Sequence, residues 1–174
     1  MATLGRLGFE KVVVGAVTRF IASQDIWLFT LFSIFVDYYV FLVLPISLVF
    51  FYKKLGRKRM ASLILSLLLL YLAVPYLKGM FGQSRPCNEY LKTACPEDYS
   101  FPSGHSAVAF AFAFLSLGTI AFPFYYISAF LIALSRIYLG IHFLNDVVGG
   151  IVIGIFSYLL SEKVIDACLR YAEG

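Results

Sequence analysis

The sequence predicts an all-α fold, a polytopic membrane helix bundle of five to six transmembrane helices with an N-terminal interfacial segment. Three observations lead there. Of 174 residues, 61% are hydrophobic and 14% charged, with a mean hydropathy of +0.87, whereas an ordinary soluble domain carries roughly 25% charged residues. The charges are bunched between long apolar runs. Those runs approach the length of about 20 residues that a helix needs to cross a bilayer, where an ionised side chain is costly. Residues 1–174 read as one domain, since no repeat, low-complexity tract or Gly/Ser linker divides them.

Residues 1–25 form the expected interfacial segment. Met1 to Glu10 lacks a signal-peptide pattern, and Phe9 to Ala22 alternates apolar residues with Glu10, Lys11 and Arg19, which suits a helix lying in the interface. Residues 26–52 are apolar except for Asp37. They exceed one crossing, so a helix is expected from about Tyr38 to Tyr52 with a break near Asp37; a tilted sixth crossing before Asp37 is the alternative. Residues 60–77, between Arg59 and Lys78, make the next span. The 37 residues from Tyr99 to Ser135 carry no Asp, Glu, Lys or Arg and suit two helices, with the hairpin marked by Pro123. Residues 147–161 reach spanning length with Phe143, Leu144 and a snorkelling Lys163. Gly150 and Gly154 in that helix suit close helix packing.

Lys53, Lys54, Arg57, Lys58 and Arg59 crowd one short loop, which the positive-inside rule assigns to the cytoplasm. Counting crossings from there puts residues 78–102 and 136–146 outside, and the Pro123 turn and C-terminal tail inside. The net charge of +4 is too small to argue for a nucleic-acid partner.

Three polar clusters fall on the outer face. In the first, Lys78 and Arg85 stand seven apart, two helical turns on one face; alone, they read better as a pair of interfacial anchors ending a helix. In the second, Ser100 to His105, Ser103 is a good N-cap and Gly104 permits close backbone approach, so the helix start is an anion site. A plain cap with an interfacial histidine is the simpler reading of that stretch by itself. In the third, Ser135 to Asp146, His142 and Asp146 are at i and i+4, so the carboxylate can hold one ring nitrogen and leave the other as a nucleophile. Arg136 and Gly140 lie alongside.

Together, three cations, a helix N-terminus, two histidines and an orienting carboxylate make a phosphoryl-transfer site without a metal. Glu89, Glu97 and Asp98 lack ligand-like spacing, so neither a metal nor another cofactor is expected. The residues alone leave open which histidine is the nucleophile; the pairing with Asp146 favours His142.

The strings K-x6-R-P (Lys78 to Pro86), P-S-G-H (Pro102 to His105) and S-R-x5-H-x3-D (Ser135 to Asp146) resemble, in order and spacing, the signature of the type 2 phosphatidic acid phosphatase superfamily. The resemblance covers about residues 78–150. It implies a helical membrane phosphatase in which His142 attacks phosphorus, Asp146 orients His142, and His105 protonates the leaving oxygen. Lys78, Arg85, Ser103, Gly104 and Arg136 would hold the phosphate oxygens. The sixteen-residue stretch from Cys87 to Pro102 leaves no lid domain, so the expected substrate arrives from the bilayer: a polyprenyl diphosphate, phosphatidic acid or phosphatidylglycerophosphate. Expected partners are that lipid phosphate and membrane lipids, and the expected location is the cell membrane with the site on the extracytoplasmic face. The sequence carries no sign of oligomeric state. The competing reading is a catalytically idle scaffold that binds lipid headgroups; a transporter is disfavoured by the lack of paired interrupted helices. Cys87 and Cys95, both outside, can close a small loop with each other, whereas Cys168 lies on the opposite side.

Overall fold

The computed structural model describes residues 2–87 and 89–173, and side chains from residue 12 to 172 within that range. The expectations resting on Met1, Glu10 and Lys11 therefore lie outside the described side chains. All regular structure among the described residues is helical.

Helix α1 (Ala2–Ala22) leads through a tight turn into α2 (Trp27–Ile34). The arms Val12–Ala22 and Trp27–Ile34 meet at 105°, so this stretch is an elbow and not one straight rod. Its position is fixed by polar contacts. Tyr138 Oη accepts from the Ile26 N–H at 2.9 Å and sits 2.6 Å from Thr30 Oγ1. Lys92 Nζ donates to the Ala22 carbonyl and lies 4.4 Å from the centre of the Tyr138 ring.

Phe35 (φ −90°, ψ 7°) separates α2 from α3 (Val36–Tyr38), close to the break expected near Asp37. A π-helical turn, Tyr39–Val43, then runs into α4 (Leu44–Phe81). Within α4, Gly56 adopts φ 79° and ψ 160°, a conformation that essentially only glycine holds without strain. The basic cluster flanks this glycine, so the charged corner lies between apolar arms 44–55 and 57–81. Pro45 from one arm and Leu67 and Tyr71 from the other line a common cavity; the chain folds back at Gly56. Two helical stretches, Val36–Phe81 and Leu144–Ala172, are long and apolar enough to cross a membrane, or three if the bent N-terminal pair acts as one.

The charge-free run from Tyr99 to Ser135 yields two helices, α5 (Gly104–Leu115) and α6 (Phe122–Tyr138). The turn lies at residues 116–121, ahead of Pro123. Pro123 instead occupies the first turn of α6, where its missing N–H costs nothing. At 12 residues, α5 is far shorter than a full span. Ala107, Ala109, Ala111, Phe112, Ala113 and Leu115 are all buried, as expected for a helix that is apolar on all sides and enclosed by others. α7 (Leu144–Glu173) packs on it. A Cβ built on Gly154 would lie 2.1 Å from the Ala107 carbonyl oxygen, and one on Gly150 2.3 Å from that of Ser103; the G-x3-G spacing therefore serves backbone contact. At the other end of α5, Arg59 Nη1 donates to the carbonyls of Leu115 and Leu117 at 3.2 and 2.9 Å, capping its C-terminus.

Candidate active site

The elements bring one end of α4, the start of α5, the end of α6 and the link between α6 and α7 to a single cavity of about 670 Å³. Its polar end contains Lys78, Arg85, Gly104, His105, Arg136 and His142; its other arm is apolar, with Val40, Phe41, Leu67, Leu70, Tyr71 and Val74. Phe41 and Tyr71 are 68% and 76% exposed, so the apolar arm opens on the flank of the bundle.

His142 lies in the short link before α7, and its Nδ1 is 3.4 Å from Asp146 Oδ2. The pairing does not arise from one helix face, as the i, i+4 spacing suggested, because α7 starts only at Leu144. Instead Asp146, in the first turn, accepts from the Phe143 N–H at 2.7 Å, in the manner of a capping box, and the same oxygen faces His142. The second oxygen accepts from Gln83 Nε2 at 2.9 Å. Asp146 is fully buried and His142 is 3% exposed. Burial, with the nearby Arg85 charge, pushes the His142 imidazole down to about 4 against the pull of Asp146. The ring is therefore neutral near pH 7. With Nδ1 donating to Asp146, Nε2 carries the lone pair, and Arg85 Nη1 lies 3.0 Å from it.

Lys78 and Arg85 converge, but not along a helix. α4 stops at Phe81, capped by Gly82 at φ 58°, and Arg85 stands in the loop that follows. This corrects the helical-face expectation: a left-handed glycine turns the chain back and brings the two cations together. Arg85 is held by its Nη1 donating to the Ile141 carbonyl and its Nε to the Asp98 carbonyl, both at 2.9 Å. The loop is braced by the Cys87–Cys95 disulfide and by Cys87 N–H donating to the Gly140 carbonyl. Gly140, at φ 74°, lets the loop approach, since a Cβ there would meet the Leu91 backbone at 3.3 Å.

At the start of α5, Ser103 Oγ accepts from Ser106 Oγ at 3.0 Å and faces the Ser106 N–H at 3.5 Å. Ser103 is wholly buried and is not among the residues lining the cavity. Its side chain caps the helix, as the sequence suggested, while Gly104 and His105 present first-turn N–H groups, which have no intrahelical partners. The Ser103 N–H donates to the Asp146 carbonyl at 3.0 Å, tying α5 to α7. Arg136 is 3% exposed and is aimed by Ser135 Oγ and the Ser33 carbonyl, each 3.2 Å away.

Three participants escaped the sequence reading. Asp98 bridges Lys78 Nζ at 2.6 Å and Arg85 Nη2 at 2.5 Å. Burial would raise its carboxyl, but the hydrogen bonds from Lys78 and Arg85 outweigh that and hold it below its ordinary value. Asp37 Oδ1 lies 2.7 Å from His105 Nε2 and 3.5 Å from Arg136 Nη1. As the one charge in residues 26–52, it carried the signal of an intramembrane functional residue. Gln83 gave no signal, because nothing distinguishes it within K-x6-R-P. Among the described residues, no group of three or more His, Cys, Asp or Glu is gathered for a metal.

Residues 59–169 match the family model of the PAP2 superfamily. The chain belongs to the PAP2 superfamily. An undecaprenyl-diphosphatase of Sulfolobus acidocaldarius is 30% identical over 128 residues, which cover 70% of this chain and 62% of that protein's length. The crystal structure of Aquifex aeolicus LpxE superimposes with a TM-score of 0.71 at 32% identity, covering 85% of this PAP2 chain and 93% of the other. A PAP2-type phosphatidylglycerolphosphate phosphatase from Bacillus subtilis shares the fold, with a TM-score of 0.65 at 21% identity over 90% and 86% of the two chains. Of the signature residues of this PAP2 protein, Lys78, Arg85, Gly104, His105, Arg136 and His142 line one cavity.

Proposed function

We propose that this protein hydrolyses a phosphomonoester or diphosphate on a lipid through a phosphohistidine intermediate, without a metal, at the outer face of the cell membrane. The observation that carries this reading is the buried His142–Asp146 pair, with its Nε2 directed at the cationic end of a cavity whose other arm is apolar and open to the side. A lipid can lie in the apolar arm while its phosphate meets Lys78, Arg85, Arg136 and the N–H groups of Gly104 and His105.

In the first step the Nε2 lone pair of His142 attacks phosphorus, the bond from phosphorus to the leaving oxygen breaks, and His105 gives that oxygen its proton. In the second step His105 takes a proton from water, which attacks the phosphohistidine and releases inorganic phosphate and neutral His142. Asp146 keeps the ring oriented and balances the charge that forms on it. The cations and the α5 N-terminus stabilise the negative charge as it redistributes.

Five crossings are proposed. At 1.5 Å per residue the 46-residue stretch Val36–Phe81 is about twice the ~30 Å hydrocarbon core, which favours two crossings joined at Gly56. With α6, α7 and the short α5, whose C-terminal end meets Arg59 of the basic corner, this makes five within a single domain, and the bent α1–α2 elbow rests at the interface. The basic corner favours a cytoplasmic Gly56 and supports a site on the opposite face.

Polyprenyl diphosphates, phosphatidic acid and phosphatidylglycerophosphate are the candidate substrates, the first and last being named in the relatives. Phosphate release from this panel in detergent, with excess chelator, is the test. Release from at least one is expected. Binding without release from any would favour the idle headgroup-binding scaffold, and loss of release on chelation that Mg²⁺ restores would overturn the metal-free mechanism.

A further inference from the structure

Asp98 lies outside the three signature strings, yet its two oxygens engage both cations of the first string, Lys78 at 2.6 Å and Arg85 at 2.5 Å. Its side chain is 56% exposed, whereas those of Lys78 and Arg85 are 13% and 6% exposed. The anion is therefore the solvent-facing member of the cluster and the cations are the enclosed ones. Arg85 is anchored independently through the Ile141 carbonyl, and Lys78 through the Tyr99 carbonyl at 2.6 Å; neither depends on the Asp98 carboxylate for its position. Arg85 Nη1 also covers Nε2 of His142. Asp37 stands in the same relation to His105 and Arg136, and its side chain is 61% exposed.

We propose that Asp98 is a resident counter-anion of the phosphate pocket, competing with phosphate for Lys78 and Arg85 and so weakening the pocket's hold on every phosphate-bearing ligand, released phosphate included. This rests on the reading of the pocket as a phosphate site. A carboxylate and a phosphoryl group both seek charge-assisted hydrogen bonds from the same donors, and two anions held there at once repel each other. An entering phosphate must displace Asp98, at a cost that is the same for every ligand. The returning carboxylate also helps to expel inorganic phosphate, which Lys78, Arg85 and Arg136 would otherwise retain.

The test is competitive inhibition by orthophosphate and by dimethyl phosphate, measured on purified full-length protein in detergent for wild type, Asp98→Asn and Asp98→Ala. Hydrolysis of nitrophenyl phosphate supplies the readout, and thermal unfolding confirms that each variant is folded. Both inhibition constants are expected to fall about tenfold in both variants, the effect of one interaction worth ~1.4 kcal/mol. Asp98→Ala serves as the second variant should the amide of Asn make new contacts with Lys78 or Arg85. Unchanged or weaker inhibition in the folded variants, with wild type inhibited normally, would overturn the proposal and make Asp98 a support for the cations. Failure of orthophosphate to inhibit wild type or any variant would overturn the phosphate-site reading, and the proposal with it.

Discussion

The two histidines differ in surroundings, and the proposed division of their work rests on that difference. His142 is buried, paired with Asp146 and neutral at ordinary pH; His105 stands at a helix N-terminus facing the cavity. His142→Ala is expected to abolish turnover on every substrate. His105→Ala is expected to lose about 10² to 10³-fold on a lipid phosphate, the usual share of general acid catalysis, and to retain most activity on nitrophenyl phosphate, whose leaving group needs no proton. Equal losses on both substrates would show that the division of roles is wrong. The pH dependence follows from the depression of His142 to about 4. Attack needs the unprotonated ring, so kcat/KM is expected to fall as pH drops through about 4, and not through the ordinary histidine value of 6.5. An acid limb near 6.5 would mean that the ring is more hydrated than its burial implies.

At the level of elements, the site depends on how closely α5 and α7 approach. With Ala107 O only 2.1 Å from a Cβ on Gly154, Gly154→Leu forces the helices apart. A loss of about 1–3 kcal/mol is expected from overpacking, together with a drop in activity, because α5 and α7 carry His105 and Asp146. A melting temperature equal to wild type would show that the contact is not tight. The G-x3-G spacing was legible because small residues four apart have one common use in a membrane helix. The approach of Lys78 to Arg85 was legible only as an outcome. Seven-residue spacing suggested two helical turns, and nothing local announced that Gly82 would end α4 and that a disulfide-braced loop would return Arg85. Likewise the elbow between α1 and α2 depends on Lys92, Tyr138 and Thr30, residues distant in sequence whose meeting no periodicity reports.

Across the whole molecule, charge bunching was enough to predict an all-helical chain, and the three separated strings name residues of which Lys78, Arg85, Gly104, His105, Arg136 and His142 line one cavity, because each string combines residue types that a membrane segment otherwise excludes. Asp98 and Gln83 were not legible: their partners lie 13 to 63 residues away, and only the folded loop joins them. Topology links fold to function. An impermeant thiol reagent on intact cells, after reduction of the Cys87–Cys95 bond, is expected to label one of that pair and to reach the exposed Cys168 only once the membrane is opened; the reverse pattern would put the site on the cytoplasmic side. The central claim, that His142 is the nucleophile of a lipid phosphatase, is tested most directly by trapping the intermediate. Wild-type protein turning over a lipid phosphate is quenched in alkali, which preserves phosphohistidine, and the peptide containing His142 is examined by mass spectrometry. The account predicts a phosphoryl group on His142, absent from His142→Ala. Turnover with His142 unmodified, or with the phosphoryl group on another residue, would contradict it.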